Sequence, residues 1–239
     1  MHENNCTLLY NPHLLVNPHP SLLSGDILRQ ATESEMISSG GRGQAWFIEL
    51  DGLAAVYRKY MRGGLVAKLN RQTYISLNLQ NTRSIKEWHL LQWMFDRGLP
   101  VPQPIAASAC RWPFSFSPFY RAQILVQRIV DVKTLDQLLS ERKLESHEWQ
   151  NVGECIRRFH DAGIYHADLN ANNILLDLSD KVYLIDFDKG EQRNTTQKNN
   201  QWMQNNLQRL KRSLLKQQRI RNDYFFTEEN WQLLLAAYN

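Results

Sequence analysis

The chain has 239 residues, enough for one large domain or two small lobes, and with 43% apolar and 10% aromatic residues it can build compact cores. No apolar run approaches the roughly 20 residues needed to span a bilayer. The start Met1-His2-Glu3-Asn4-Asn5 lacks the charged and apolar regions of a signal peptide, so a cytoplasmic location is expected. The net charge of +4 is modest but uneven, since neither Gly52–Lys86 nor Gln192–Asn222 contains an acid.

In chain order, the first thirty residues, with Pro12, Pro18 and Pro20, read as irregular structure or a strap. Glu35–Ser38, Ala45–Leu50 and Leu53–Tyr60 read as three short strands, separated by turns at Gly40-Gly41-Arg42-Gly43 and Asp51-Gly52. Ser84–Arg97 is predicted helical, because Ile85, Trp88, Leu91 and Phe95 recur at spacings of three and four and Gly98 follows as a stop. Leu99–Pro104 must be extended, since proline disfavours helix in itself and in the residue before it. Ala122–Val130 reads as a further strand and Leu135–Arg142 as a short helix. Ser146–Ala162 is a longer helix with Trp149, Val152, Ile156 and Phe159 apolar, ending at Gly163. Ile174–Leu178 and Val182–Ile185 flank a Ser179-Asp180 turn, and from Asn200 onward the pattern is helical. Strands come first and helices later. That order defines an α+β chain with an N-terminal antiparallel sheet lobe, residues 1–130, and a C-terminal helical lobe, residues 131–239.

Cys6, Cys110 and Cys155 are far apart and odd in number, so no disulfide framework and no metal pair is expected, as in a reducing compartment. His2, His13 and His19 match no ligand spacing. The first acid-free block holds Arg58, Lys59, Arg62, Lys68, Arg71, Arg83 and Lys86. The second holds Arg193, Lys198, Arg209, Lys211, Arg212, Lys216, Arg219 and Arg221. Such clustering points to an anionic contact, with a solvated basic face as the plain alternative. In the tail, Trp202, Met203, Leu207, Leu210, Leu214 and Leu215 form an apolar stripe of the kind that packs on a core. Its basic flanks would also suit an anionic lipid surface. Trp202 is the only aromatic in that block, so stacking on nucleic-acid bases is not expected.

The chemical centre is Tyr165-His166-Ala167-Asp168-Leu169-Asn170-Ala171-Asn172-Asn173, followed after a short hairpin by Ile185-Asp186-Phe187-Asp188. Phosphoryl transfer requires a carboxylate beside the attacking hydroxyl and oxygen ligands for Mg²⁺ on the phosphates. Asp168 suits the first role, and Asn173 and Asp186 the second. The two segments resemble the catalytic loop and metal-binding segment of protein kinases. The alternative, that these are turn-forming Asp and Asn residues, explains each singly but not their joint spacing.

Upstream, Gly40, Gly41 and Gly43 lie between two strands, where glycines let backbone N–H groups approach nucleotide phosphates. Glu87 is the expected partner of a cation on the third strand. Alternation puts Val56 and Arg58 on one face of that strand and Tyr57 and Lys59 on the other. A small residue two before the cation favours Arg58, whereas the usual kinase lysine favours Lys59, and both stay open. About fifty residues follow Asp188, without the peptide-docking helices of an ordinary protein kinase. Asp188 replaces the kinase glycine, which makes a large backbone flip there less favourable.

The chain resembles the 3-deoxy-D-manno-octulosonic acid (Kdo) kinases of the lipopolysaccharide kinase group. The matching residues are Tyr57–Lys68, Gly98–Pro104 and His160-Asp161-Ala162-Gly163-Ile164-Tyr165-His166-Ala167-Asp168-Leu169-Asn170. The resemblance implies a reduced protein-kinase-like two-lobe fold and phosphorylation by ATP and Mg²⁺ of the 4-hydroxyl of Kdo on Kdo-lipid A, at the cytoplasmic face of a Gram-negative inner membrane. Asp168 would be the catalytic aspartate, and the anionic membrane surface a partner. Rival expectations are a kinase of another small molecule or of protein Ser/Thr, and a non-catalytic kinase-like module. The intact Asp168, Asn173 and Asp186 argue against the last.

Overall fold

Residues with two-residue alternation and strand-forming side chains dominate the first half of the chain. In the computed structural model they make one eight-stranded antiparallel sheet. The structure describes residues 2–3, 5–16, 18, 22–23, 27–37, 44–60, 74–195 and 201–239. The sheet comprises β1 (His2–Glu3), β2 (Cys6–Tyr10), β3 (Glu33–Ile37), β4 (Gln44–Leu50), β5 (Leu53–Lys59), β6 (Tyr74–Ile75), β7 (Pro104–Arg111) and β8 (Phe119–Gln127). Its order is β1-β2-β7-β8-β5-β4-β3, with β6 also paired to β8. The β4–β5 hairpin turns at Asp51-Gly52, where φ is +51° and +76°, as a tight hairpin requires.

Two expectations change here. The first thirty residues are not merely a strap. Leu8 and Leu9 of β2 pair with Ser108 and Ala107 of β7, and Leu22, Leu23 and Ile27 (opening α1, Ile27–Gln30) pack into the core against Trp46, Ile48, Ala55 and Tyr57. The prolines punctuate that segment without excluding a strand before them. The strand β7, Pro104-Ile105-Ala106-Ala107-Ser108-Ala109-Cys110-Arg111, carries small residues in place of a bulky alternation, which is why its sequence gave no strand signal.

Cys6 and Cys110 sit directly opposite each other in the β2–β7 register and form a disulfide, with Cα atoms 4.1 Å apart. The expectation of no disulfide is therefore overturned. The pair is 104 residues apart in sequence, and antiparallel pairing removes that distance. Cys155 is free and buried, and burial pushes its thiol up to about 12.

The helix α2 (Arg83–Asp96) ends at Gly98, whose φ is +69°, with the Gly98 and Leu99 amides donating to Phe95 and Met94 carbonyls. Its buried face runs through Ser84, Glu87, Leu91 and Met94, with Ile85 also buried. Phe95, expected inside, is exposed because that face is rotated toward Glu87.

The later chain is mainly helical: β9 (Val132–Thr134), α3 (Leu135–Glu141), α4 (Ser146–Asp161), β10 (Ile164–Tyr165), β11 (Ile174–Asp177), β12 (Val182–Leu184), β13 (Glu191–Gln192), α5 (Gln201–Ile220) and α6 (Glu228–Tyr238). A capping box of Glu145 and Glu148 starts α4, and Arg142 clamps Glu148 with bonds of 2.8 and 2.6 Å. Trp149, Ile156 and Phe159 of α4 are buried, with Leu207, Leu210 and Leu214 of α5 and Leu234 of α6. Two compact units result: Met1–Gln92 with Pro102–Arg128, and Trp93–Val101 with Ile129–Asn239. No helix among the described residues is long and apolar enough to cross a membrane.

Candidate active site

In the second unit, the segment after β10 turns sharply because His166 is buried and bonded twice. Its Nδ1 accepts the Asp168 amide at 3.2 Å and its Nε2 meets the Ile185 carbonyl at 2.9 Å. That pattern fixes the neutral tautomer with the proton on Nε2. Burial pushes the His166 pKa down, while the bond to Ile185 and the charges of Asp186 and Asp168 pull it upward. The ring also lies 4.6 Å from Phe187, which packs on Phe159 at 5.7 Å. Phe187 thereby anchors the residues on either side of it to the core.

Two asparagines grip the Asp168 backbone. Asn170 Nδ2 and Asn173 Nδ2 each donate to the Asp168 carbonyl at 2.9 Å, and Asn170 Oδ1 caps the turn at Ala171–Asn173. The carboxylate of Asp168 is thus held at the start of the loop and stays largely exposed. With Nδ2 committed, Asn173 presents Oδ1, which accepts no hydrogen bond among the described residues. The Asn173 carbonyl accepts the Ile185 amide at 3.0 Å, continuing the β11–β12 pairing of Ile174 with Leu184. Asp186 follows at φ +63°, an uncommon conformation that aspartate tolerates better than most residues. The loop and the strand end that carry Asp168, Asn173 and Asp186 are therefore joined by backbone bonds.

The helix α5 braces this loop, a role the sequence did not reveal. Asn206 Oδ1 accepts the His166 amide at 3.1 Å and its Nδ2 donates to the His166 carbonyl at 2.9 Å. Ser213 Oγ accepts the Ala171 amide at 3.2 Å, and Arg209 donates to Asp168 Oδ1 at 2.9 Å. Asn206, Arg209 and Ser213 lie three and four residues apart, so they share a face. That polar spacing was the available signal, masked by the stronger apolar stripe and basic charge.

In the first unit, Glu87 is buried, and among the described residues Arg58 forms an ion pair with it and the Tyr60 hydroxyl donates to its second oxygen. A buried carboxylate requires such compensation. Burial, then the Glu87 charge, raises the Tyr60 pKa well above its usual range. Lys59 points to the opposite face, with Nζ 5.2 Å from the Trp46 ring centre and 5.7 Å from that of Tyr57. Burial and then Arg121 lower its pKa. Of the two cations left open by the sequence, Arg58 is the one that meets Glu87. Gly40, Gly41 and Gly43 lie outside the described residues.

No group of three or more His, Cys, Asp or Glu able to hold a metal occurs among the described residues. Asn173 and Asp186 instead offer an amide and a carboxylate oxygen, a sparse hard-oxygen set. It fits Mg²⁺, which commonly binds one or two protein carboxylates and completes its shell with waters and substrate phosphates.

A two-lobe fold with an antiparallel sheet, a partly buried Arg–Glu pair and an Asp–Asn–Asp loop system defines a reduced kinase-like protein. The model of the lipopolysaccharide kinase (Kdo/WaaP) family matches residues 28–238. A 3-deoxy-D-manno-octulosonic acid kinase of Xylella fastidiosa (strain M12) is 46% identical over 75% of this chain and 69% of its own length. That of Mannheimia succiniciproducens is 44% identical over 84% of this chain and 83% of its own, and that of Photobacterium damsela subsp. piscicida 38% identical over 95% and 91%. The chain belongs to the lipopolysaccharide kinase (Kdo/WaaP) family and is a phosphotransferase, for which ATP is the phosphate donor.

Proposed function

We propose that the chain is a Kdo kinase that transfers the terminal phosphoryl group of ATP to the 4-hydroxyl of a Kdo residue on Kdo-lipid A, working at the cytoplasmic face of an inner membrane. The observation that carries the reading is the Asp168 carboxylate held open at the start of a loop tied by Asn173 to the strand leading into Asp186. The names of the relatives point to the Kdo acceptor.

Asp168 orients the acceptor hydroxyl and takes its proton as the new P–O bond forms and ADP departs with the electrons of the broken one. Asn173 and Asp186 would hold Mg²⁺, which when bound offsets the charge of the phosphate oxygens. Arg58, steadied by Glu87, serves the nucleotide phosphates, with the backbone of Gly40, Gly41 and Gly43 in support. The neutral His166 keeps the Asp168 backbone in place without adding charge. An anionic membrane surface would bring the enzyme to its lipid-linked acceptor.

The test is phosphorylation of Kdo-lipid A by Mg-ATP, read by mass spectrometry, with Asp168→Asn as the control. Asp168→Asn is expected to lower kcat by roughly 10²–10⁴-fold with ATP affinity largely kept. Near-normal turnover in that variant would remove Asp168 from the role given to it.

A further inference from the structure

The cations of α5, with Arg221 just past its end, fall on two faces that the fold treats differently. Lys211 pairs with Glu228 at 2.7 Å and Arg221 with Asp136 at 3.0 Å, flanking the face buried through Leu207, Leu210 and Leu214. Arg209, Arg212, Lys216 and Arg219 recur at spacings of three, four and three, so they share one strip on the opposite side of the helix. All four are exposed. With about 1.5 Å of rise per residue the strip is about 15 Å long. Its first member reaches Asp168 at 2.9 Å. Arg212, Lys216 and Arg219 form no ion pair among the described residues, and α5 contains no acid to offset them.

Like charges three and four residues apart repel and weaken a helix. A plain solvated face would mix in glutamates, which is the cheaper arrangement. We infer that this strip is a binding rail for the acceptor, along which anionic groups remote from the reacting hydroxyl, carboxylate or phosphate, lie on Arg212, Lys216 and Arg219. The rail starts at Arg209, beside the aspartate that would receive the hydroxyl, so one end of the acceptor is placed for reaction while the other is held by charge. Guanidinium groups suit this task because their forked N–H donors match both anions. The inference rests on the acceptor reading above and specifies how an acidic glycolipid would be recognised.

The test is the variant R212Q/K216Q/R219Q, with helicity checked by circular dichroism. The acceptor is Kdo-lipid A freed of its acyl chains, which keeps its carboxylate and phosphates but needs no membrane. KM for this acceptor is expected to rise about tenfold, the order given by losing three exposed charge contacts, while kcat and the KM for ATP stay within about twofold. An unchanged KM overturns the rail. A defect seen only with acceptor in anionic vesicles also overturns it and gives the strip to the membrane surface. Calorimetric titration of the same deacylated acceptor, without ATP, separates this inference from the function. Binding weakened about tenfold in the variant, with no transfer by the wild type, keeps the rail and removes the Kdo kinase reading. Transfer by the wild type with equal binding by both proteins does the reverse. Neither transfer nor binding by the wild type removes both.

Discussion

Arg209 sits at the junction of two demands. Its guanidinium bonds Asp168 Oδ1, yet both side chains are largely exposed, so the pair adds little to stability. Its value lies in position: the loop Tyr165–Asn173 contains no Lys or Arg, and α5 supplies the cation beside Asp168, the carboxylate proposed to react. Arg209→Ala is expected to lower kcat about tenfold, as loss of a charge beside the transferring group does, with a melting temperature unchanged within about 2 °C. Steady-state kinetics beside differential scanning calorimetry would check this. Equal falls in stability and turnover would make the pair structural. His160 shows the contrasting case of a titratable group used for packing. Burial pushes its pKa down to about 4, and its ring nitrogens face the Tyr238 hydroxyl and Asn206 Oδ1, joining α4, α6 and α5.

At the scale of elements, α4 organises the second unit because it can approach α6 closely. Gly153 makes that approach possible: a Cβ there would lie 2.2 Å from the Leu234 carbonyl oxygen, which is backbone and cannot swing away. Gly153→Ala should therefore push α4 and α6 apart and destabilise the unit by about 3 kcal/mol, the upper range of overpacking. Urea denaturation followed by tryptophan fluorescence would measure it, since Trp149 is fully buried on α4 and Trp231 nearly so on α6. A loss under about 0.5 kcal/mol, typical of a tolerant surface site, would show that the helices part without cost. Gly163 ends the lead-in to the His166–Asn173 loop under similar constraint. Its φ is +76° and an added Cβ would meet the Arg193 carbonyl at 2.4 Å. The glycine was visible in the sequence as a helix stop, but the approach of Arg193, just after β13, was not.

For the whole molecule, the Cys6–Cys110 disulfide closes a covalent loop between residues 104 apart and ties β2 to β7. In a chain-entropy account a loop of this length is worth up to about 4.7 kcal/mol, less where the reduced chain keeps structure. Reduction should thus lower the unfolding midpoint of the wild type but leave the Cys6→Ser/Cys110→Ser protein unchanged, and a non-reducing peptide map should contain the linked pair. A map showing both thiols free, with no effect of reductant, would remove the bond from the fold's stability. The argument from cysteine spacing to a reducing compartment no longer stands on these residues.

Local chemistry is written in short stretches of the chain. His166–Asn173 and Ile185–Asp188 carry their spacing in the chain. The hairpins at Asp51-Gly52 and Ser179-Asp180 carry turn residues, and the helix from Ser146 carries apolar periodicity and a glycine stop. Each is specified by neighbours within a few residues, so each was legible. Features that depend on partners far along the chain emerge only on folding. The choice of Arg58 to meet Glu87 required knowing which way α2 turns its buried face. The strand β7 has too little side-chain pattern to announce itself and exists because β2 and β8 offer it hydrogen-bond partners. The disulfide needs two strands in register across 104 residues. The brace of Asn206, Arg209 and Ser213 under the His166–Asn173 loop follows from how α5 packs its leucines inward. Burying the apolar stripe fixes the helix's rotation, and that rotation alone aims its polar side chains at His166, Asp168 and Ala171.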